Sequence, residues 1–89
     1  MLPTQLRTFY AVAREGSFTA AAKVLRVSQP TLTSQIKNLE ETYGVELFHR
    51  HGRGVALTEV GKSLLSIAHR IVSNQEEAVE FLKAVQGLE

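Results

Sequence analysis

Gln29, Thr31, Thr33, Ser34, Lys37 and Asn38 crowd into a stretch, Ser17 to Tyr43, that reads SFTAAAKVLRVSQPTLTSQIKNLEETY. Their amides and hydroxyls are small, neutral groups that both donate and accept hydrogen bonds, and the lysine adds one positive charge. That chemistry suits recognition: amides and hydroxyls match the polar edges of bases, while lysine matches phosphate. A second group lies further on, where Arg50 and Arg53 bracket His51 and Gly52 and follow His49. On a thin projecting loop, arginines reach a phosphate or enter a narrow A·T-rich minor groove, where negative potential is strongest. An ordinary solvated turn has the same composition, so the arginines signify only in company with the first group.

The polar group has to be held on a helix for its members to act together. Leu32, Ile36, Leu39 and Tyr43 recur at the spacing of one helical face, which predicts that this face is buried and the opposite face, with Glu41 at its far end, is open. Ser28 stands at the N-cap position, and Pro30 falls in the first turn, where its missing N–H costs the helix nothing. Ahead of it Phe18, Ala21, Ala22 and Leu25 form a shorter apolar stripe, with Ser17 as its cap. Only Arg26 and Val27 separate the two patterns. A helix, a tight turn and a second helix with a polar outer face make a helix-turn-helix, whose second helix reads base edges in the major groove. The same residue types also serve as a plain solvated face.

Other elements surround this pair. Leu2, Leu6, Phe9, Tyr10 and Ala13 predict a first helix, with Pro3 in its opening turn and Gly16 as its stop. Gly44 ends the third helix in the same way. The period then changes: residues 46–50 and 54–57 read as two short strands joined through His51, Gly52 and Arg53, a β-hairpin "wing". Thr58 caps a final helix expected to run to about residue 87.

Along that last helix Val60, Leu64, Ile67, Ile71, Ala78, Phe81, Val85 and Leu88 alternate steps of four and three, and Asn74 fills the slot they miss. Such a heptad seam calls for a partner helix, and a polar residue within it fixes register at some cost in stability. A second stripe, Leu65, Ala68, Val72, Val79 and Leu82, widens the apolar face. The expectation is that the first half packs on its own domain and the second half on another subunit, with Ile67, Ile71, Asn74, Ala78, Phe81 and Val85 as the dimerisation residues. The competing arrangement folds the helix back on the three-helix core.

The bulk properties fit one small helical domain of 89 residues without cysteine, hence without disulfides, thiolate metal sites or a cysteine nucleophile. No signal peptide or membrane-spanning run is apparent, which gives a cytoplasmic protein with no membrane partner as the expectation. The net charge is +1, but residues 1–62 hold eight Lys and Arg against five Glu, and residues 63–89 hold two against four. A basic first part facing phosphate and an acidic last part facing protein is the implied division. His49, His51 and His69 lack the spacing of a metal set, and no nucleophile elbow, phosphate loop or carboxylate pair appears. Neither a metal, a cofactor nor an enzymatic activity is expected.

Taken together, LRTFYAVAREGSFTAAAKVLRVSQPTLTSQIKNLE, the ELFHR strand after YGV, and LTEVGK resemble the N-terminal DNA-binding domain of LysR-type transcriptional regulators. The resemblance covers essentially the whole chain. It implies a mainly α fold with a small β-hairpin: a winged helix-turn-helix over residues 1–58, followed by a linker (dimerisation) helix over residues 59–89 that pairs antiparallel with its copy. It implies a dimeric bacterial regulator of transcription that binds double-stranded promoter DNA, with a homotetramer open to the full-length protein. Carried onto this sequence, Gln29 and Pro30 sit at the groove edge, beside the cap Ser28, with Thr31, Thr33, Ser34 and Lys37 on bases or phosphates. Arg53 enters the minor groove, Arg50 supports or contacts the backbone, and Ser17 and Thr19 bind phosphate.

Two departures stand out. Many members carry arginine where this chain has Ser34, so readout here leans on Gln29, Thr33 and DNA shape. The family's C-terminal inducer-binding domain has no counterpart in these residues, which implies DNA binding with no small-molecule inducer site. The competing functional class is a protein-interaction module in which the long helix acts and the helix-turn-helix is scaffold.

Overall fold

Each helix begins and ends where a residue of special backbone chemistry stands. The computed structural model describes residues 3–49 and 54–87. It contains α1 (Thr4–Glu15), α2 (Phe18–Leu25), α3 (Gln29–Tyr43), β1 (Phe48–His49), β2 (Ala56–Leu57) and α4 (Glu59–Gln86). Ser17, Ser28 and Thr58 adopt extended backbone and accept through their hydroxyls from the N–H groups of Ala20, Thr31 and Gly61. Each satisfies one of the donors that a helix start leaves without an internal partner. Gly16 and Gly44 end α1 and α3 in the left-handed region, at φ 68° and 64°. Arg26 does the same for α2 without being glycine, at φ 58°. Its strain, about 1 kcal/mol for a residue with a Cβ, is offset by N–H bonds from Arg26 and Val27 back into the last turn of α2. That reversal is what makes the α2 to α3 turn so short.

The core gathers Phe9 and Val12 of α1, Ala21 and Ala22 of α2, Leu32 and Ile36 of α3, and Leu47 and Phe48 from the entry to the wing. Phe48 sits between Phe9 and Phe18, at ring separations of 5.4 and 5.9 Å. The wing is therefore rooted in the core through its first strand. β1 and β2 pair antiparallel, with Phe48 opposite Leu57 and His49 opposite Ala56.

Two expectations are corrected. Tyr43 is not part of the buried face of α3; it is 72% exposed, because the stripe continues one turn past the helices that cover Leu32 and Ile36. The strands hold two residues each, with Glu46, Leu47, Gly54 and Val55 outside them. Leu47 makes its own connections instead, its N–H to the Glu40 carboxylate and its carbonyl to the N–H of Thr58. The first half of α4 packs on its own domain as expected, through Gly61, Leu64, Leu65 and Ala68, while the seam positions Val60, Ile67 and Ile71 remain exposed.

Gly61 permits that contact, since a Cβ there would lie 2.2 Å from the Leu47 carbonyl oxygen. Beyond Ala68 no described residue of α4 is buried, and the helix runs on as a single arm, giving a shape of 53 × 25 × 22 Å. The folded-back arrangement is thereby excluded.

Candidate nucleic-acid interface

α3 turns its polar side away from the rest of the chain. Gln29, Pro30, Thr31, Ser34, Lys37 and Asn38 are all exposed, and Thr33 is half-buried. Gln29, Pro30, Thr33, Ser34 and Lys37 line one shallow concavity along the first two turns. Thr33 and Lys37 also border a neighbouring depression that continues to Phe48 and His49 of β1. The helix face and the root of the wing thus form one continuous surface, the arrangement needed for a molecule that meets both at once. Arg50 and Arg53 lie outside the described residues, between His49 and Gly54.

Several contacts hold this face in place that no local pattern announces. The Thr8 hydroxyl of α1 donates to Gln35 Oε1 of α3 at 2.6 Å, and Thr8 itself is buried. That bond fixes α3 against α1 from behind, where Leu32 and Ile36 supply the apolar packing. The Glu40 carboxylate, at the far end of the same helix, accepts from Leu47 N–H at 2.7 Å and from Phe48 N–H at 3.4 Å. α3 consequently positions the wing directly. Thr58 completes the frame: its hydroxyl donates to the Glu46 carbonyl at 2.6 Å while accepting from Gly61 N–H at 2.9 Å.

The candidate residues at the two helix starts are also joined to one another. Thr19 donates to Gln29 Oε1 at 3.2 Å across the turn between α2 and α3. With its oxygen so engaged, the Gln29 amide directs its N–H donors outward. Ser28 donates to Thr31 Oγ1 at 2.8 Å while capping the Thr31 N–H at 3.2 Å. A Ser hydroxyl has one proton and two lone pairs. Ser28 therefore keeps only acceptor capacity, and Thr31 retains the one hydroxyl proton of the pair that can turn outward. Sequence reading named Ser28 and Thr31 as separate contacts, whereas the structure makes them one unit. Ser17 caps α2 through Ala20 N–H at 3.1 Å, beside the exposed Thr19.

The remaining expected dimerisation residues, Asn74, Ala78, Phe81 and Val85, all lie exposed on the arm of α4. Among the described residues no three His, Asp or Glu side chains gather where a metal ion could sit. His69, far from His49, instead stacks on Tyr10 and bonds its hydroxyl through Nδ1 at 3.3 Å. No described helix is long and apolar enough to cross a membrane.

Against this geometry, the family model for "Bacterial regulatory helix-turn-helix protein, lysR family" matches residues 3–62. The chain belongs to the LysR family. The HTH-type transcriptional regulator BudR of Klebsiella aerogenes is 49% identical over 80 residues, which make up 90% of this chain and 56% of BudR. Among solved structures, the BenM DNA-binding domain in complex with benA site 1 DNA shares 40% identity at a TM-score of 0.82, covering 96% of each chain. The complex of the CbnR DNA-binding domain with DNA shares 41% identity at a TM-score of 0.76, over 96% of this chain and 98% of that one. The fold is accordingly the winged helix-turn-helix DNA-binding domain of a LysR-type regulator, with its long C-terminal helix. The chain spans about half the length of BudR and 28% of the full-length BenM it also matches.

Proposed function

We propose that this LysR-family domain binds double-stranded promoter DNA as a homodimer, with the first two turns of α3 in the major groove and the wing arginines in the adjacent minor groove. The observation that carries the reading is the bare polar face of α3, from Gln29 to Lys37, continuous with the root of the wing. BenM and CbnR domains of the same fold are described with DNA. Gln29, Thr33 and Ser34 read base edges, Thr31 and Lys37 reach bases or phosphates, and Pro30 and the cap Ser28 shape the start of the helix at the groove edge. Ser17 and Thr19 meet a phosphate at the N-terminus of α2, where helix N–H groups and dipole favour an anion. The Thr19 to Gln29 bond links that backbone contact to the reading residue, so placement on the phosphate also orients the amide.

Dimerisation runs through the exposed seam of α4, and the protein acts in the cytoplasm of a bacterium, without an enzymatic role. In the whole protein a further domain senses a small molecule, and dimers associate to tetramers. Selecting bound duplexes from a random DNA pool tests the reading. The expected product is a roughly palindromic motif with half-sites about 34 to 36 Å apart or a multiple of one helical turn. Recovery of unrelated sequences, bound weakly and equally at moderate salt, would favour the long helix as a protein-interaction module with the helix-turn-helix as scaffold.

A further inference from the structure

A binding mode that puts α3 in the major groove and the wing tip in the minor groove has to carry the chain across the line of phosphates between the two grooves. The residues that make this crossing lie at the root of the wing. One of them, His49, has no role among the contacts assigned to α3 or to the wing arginines.

The fold decides where His49 points. Glu40 holds the chain as it enters the wing, accepting from Leu47 N–H at 2.7 Å and from Phe48 N–H at 3.4 Å. Phe48 then turns into the core between Phe9 and Phe18. Successive side chains of a strand point to opposite faces, so the burial of Phe48 directs His49 outward, where it is exposed. Its cross-strand partner is Ala56, whose methyl group is too small to cover an imidazole.

His49 borders a depression of about 670 Å³ whose facing wall is α3, with Thr33 and Lys37 at one end of that wall and Glu40, Glu41 and Gly44 at the other. Thr33 and Lys37 also line the concavity on the reading turns of α3. The depression therefore continues the reading surface toward the wing, and it is the place a phosphate strand has to pass.

We propose that His49, as an imidazolium, contacts a phosphate of the strand between the two grooves, beside Lys37, and that this contact makes DNA affinity depend on pH. The inference rests on the DNA-binding reading and adds to it a contact and its regulation. The charged groups facing this position are Lys37, Glu40 and Glu41 from α3 and Glu46 from the segment leading into β1, while β2 offers the uncharged Ala56. Their arrangement gives the contact a direction, since a phosphate strand is repelled over Glu41 and Glu46 and attracted over Lys37 and His49. Histidine is the side chain that changes charge between about pH 5 and 8. A positive ring attracts phosphate by charge, whereas a neutral one has only its N–H to offer. Binding thus takes up a proton, and affinity rises as pH falls through that window.

The test is a fluorescence anisotropy titration of the selected duplex at fixed salt, at about pH 5.5 and about pH 8, with the parent chain, His49→Gln and His49→Lys. The parent should bind about fivefold tighter per half-site at the lower pH, the size of one exposed charge contact. Its slope of log affinity against log salt should steepen there by about 1. His49→Gln keeps a hydrogen-bonding side chain without the charge and should show the parent's weaker affinity at both pH values. His49→Lys carries the charge throughout and should show the tighter one at both. His51→Gln and His69→Gln are the controls and should keep the parent's pH dependence. The proposal is overturned by a pH dependence that survives in His49→Gln, by one that disappears with His51→Gln or His69→Gln instead, or by a parent that binds the selected duplex specifically and equally at both pH values. A parent that prefers the selected duplex to an unrelated one at neither pH overturns the DNA-binding reading itself.

Discussion

The head of the molecule and the arm of α4 are built on the same amphipathic principle and end in opposite states. In the head, Phe9, Val12, Leu32 and Ile36 are fully buried, and the outer face of α3 is polar, with Val24 and Tyr43 as isolated apolar exposures. On the arm, Phe81 and Leu82 are each 65% exposed, and their polar neighbours are exposed too. Burying one such side chain contributes about 1.5 to 3 kcal/mol, which the head has realised within one chain and the arm has not. The contrast teaches that an apolar stripe specifies a helix face but not what covers it. For α1, α2 and α3 the cover arrives through turns of a few residues. For the distal half of α4 no other described residue supplies the cover, and a second copy is the cover proposed for it.

The sharpest way to separate the two regions is by the order of the unfolding reaction. Leu32→Ala should lower stability by about 3 kcal/mol in urea melts, by the same amount at every protein concentration. A loss that shrinks as concentration rises would show that the head is not complete alone. Phe81→Asp should do the reverse, leaving the head folded while abolishing the dimer, and weakening DNA binding about 100-fold as two linked half-site contacts become one. Gel shifts and sedimentation on the same samples check this, and unchanged affinity in a proven monomer would break the link between arm and DNA.

Smaller effects sharpen the division within the head itself. Gln29→Ala should cost about 1 to 3 kcal/mol on the preferred duplex and little on duplexes altered at the contacted base. Equal losses on all sequences would reassign Gln29 to the backbone. Arg53→Ala should weaken binding across sequences and reduce the slope of log affinity against log salt by about 1. An unchanged slope in anisotropy titrations would remove Arg53 from the interface.

Much of the head was legible because its signals are local. Ser17, Ser28 and Thr58 as caps, Gly16 and Gly44 as stops, and the open face of α3 each depend on residues within a turn or two, and all stand where the pattern placed them. The Thr8 to Gln35 and Thr19 to Gln29 bonds were not legible, nor was the Glu40 carboxylate holding the wing. Those partners meet only because helices cross at particular angles, and no spacing rule relates them. Tyr43 was misread for the same reason: periodicity gives its face, while burial depends on how far the covering helices reach.

The amino-acid order alone determined the helix boundaries, the side of α3 that stays polar and the seam along α4, since capping chemistry and helical period act within one element. Which stripe of α4 meets the head was decided only in three dimensions, where Gly61 lets the helix approach the Leu47 carbonyl and turns Leu65 and Ala68 inward. Close packing between elements depends on the shape of both partners, and shape is a property that neither segment carries by itself.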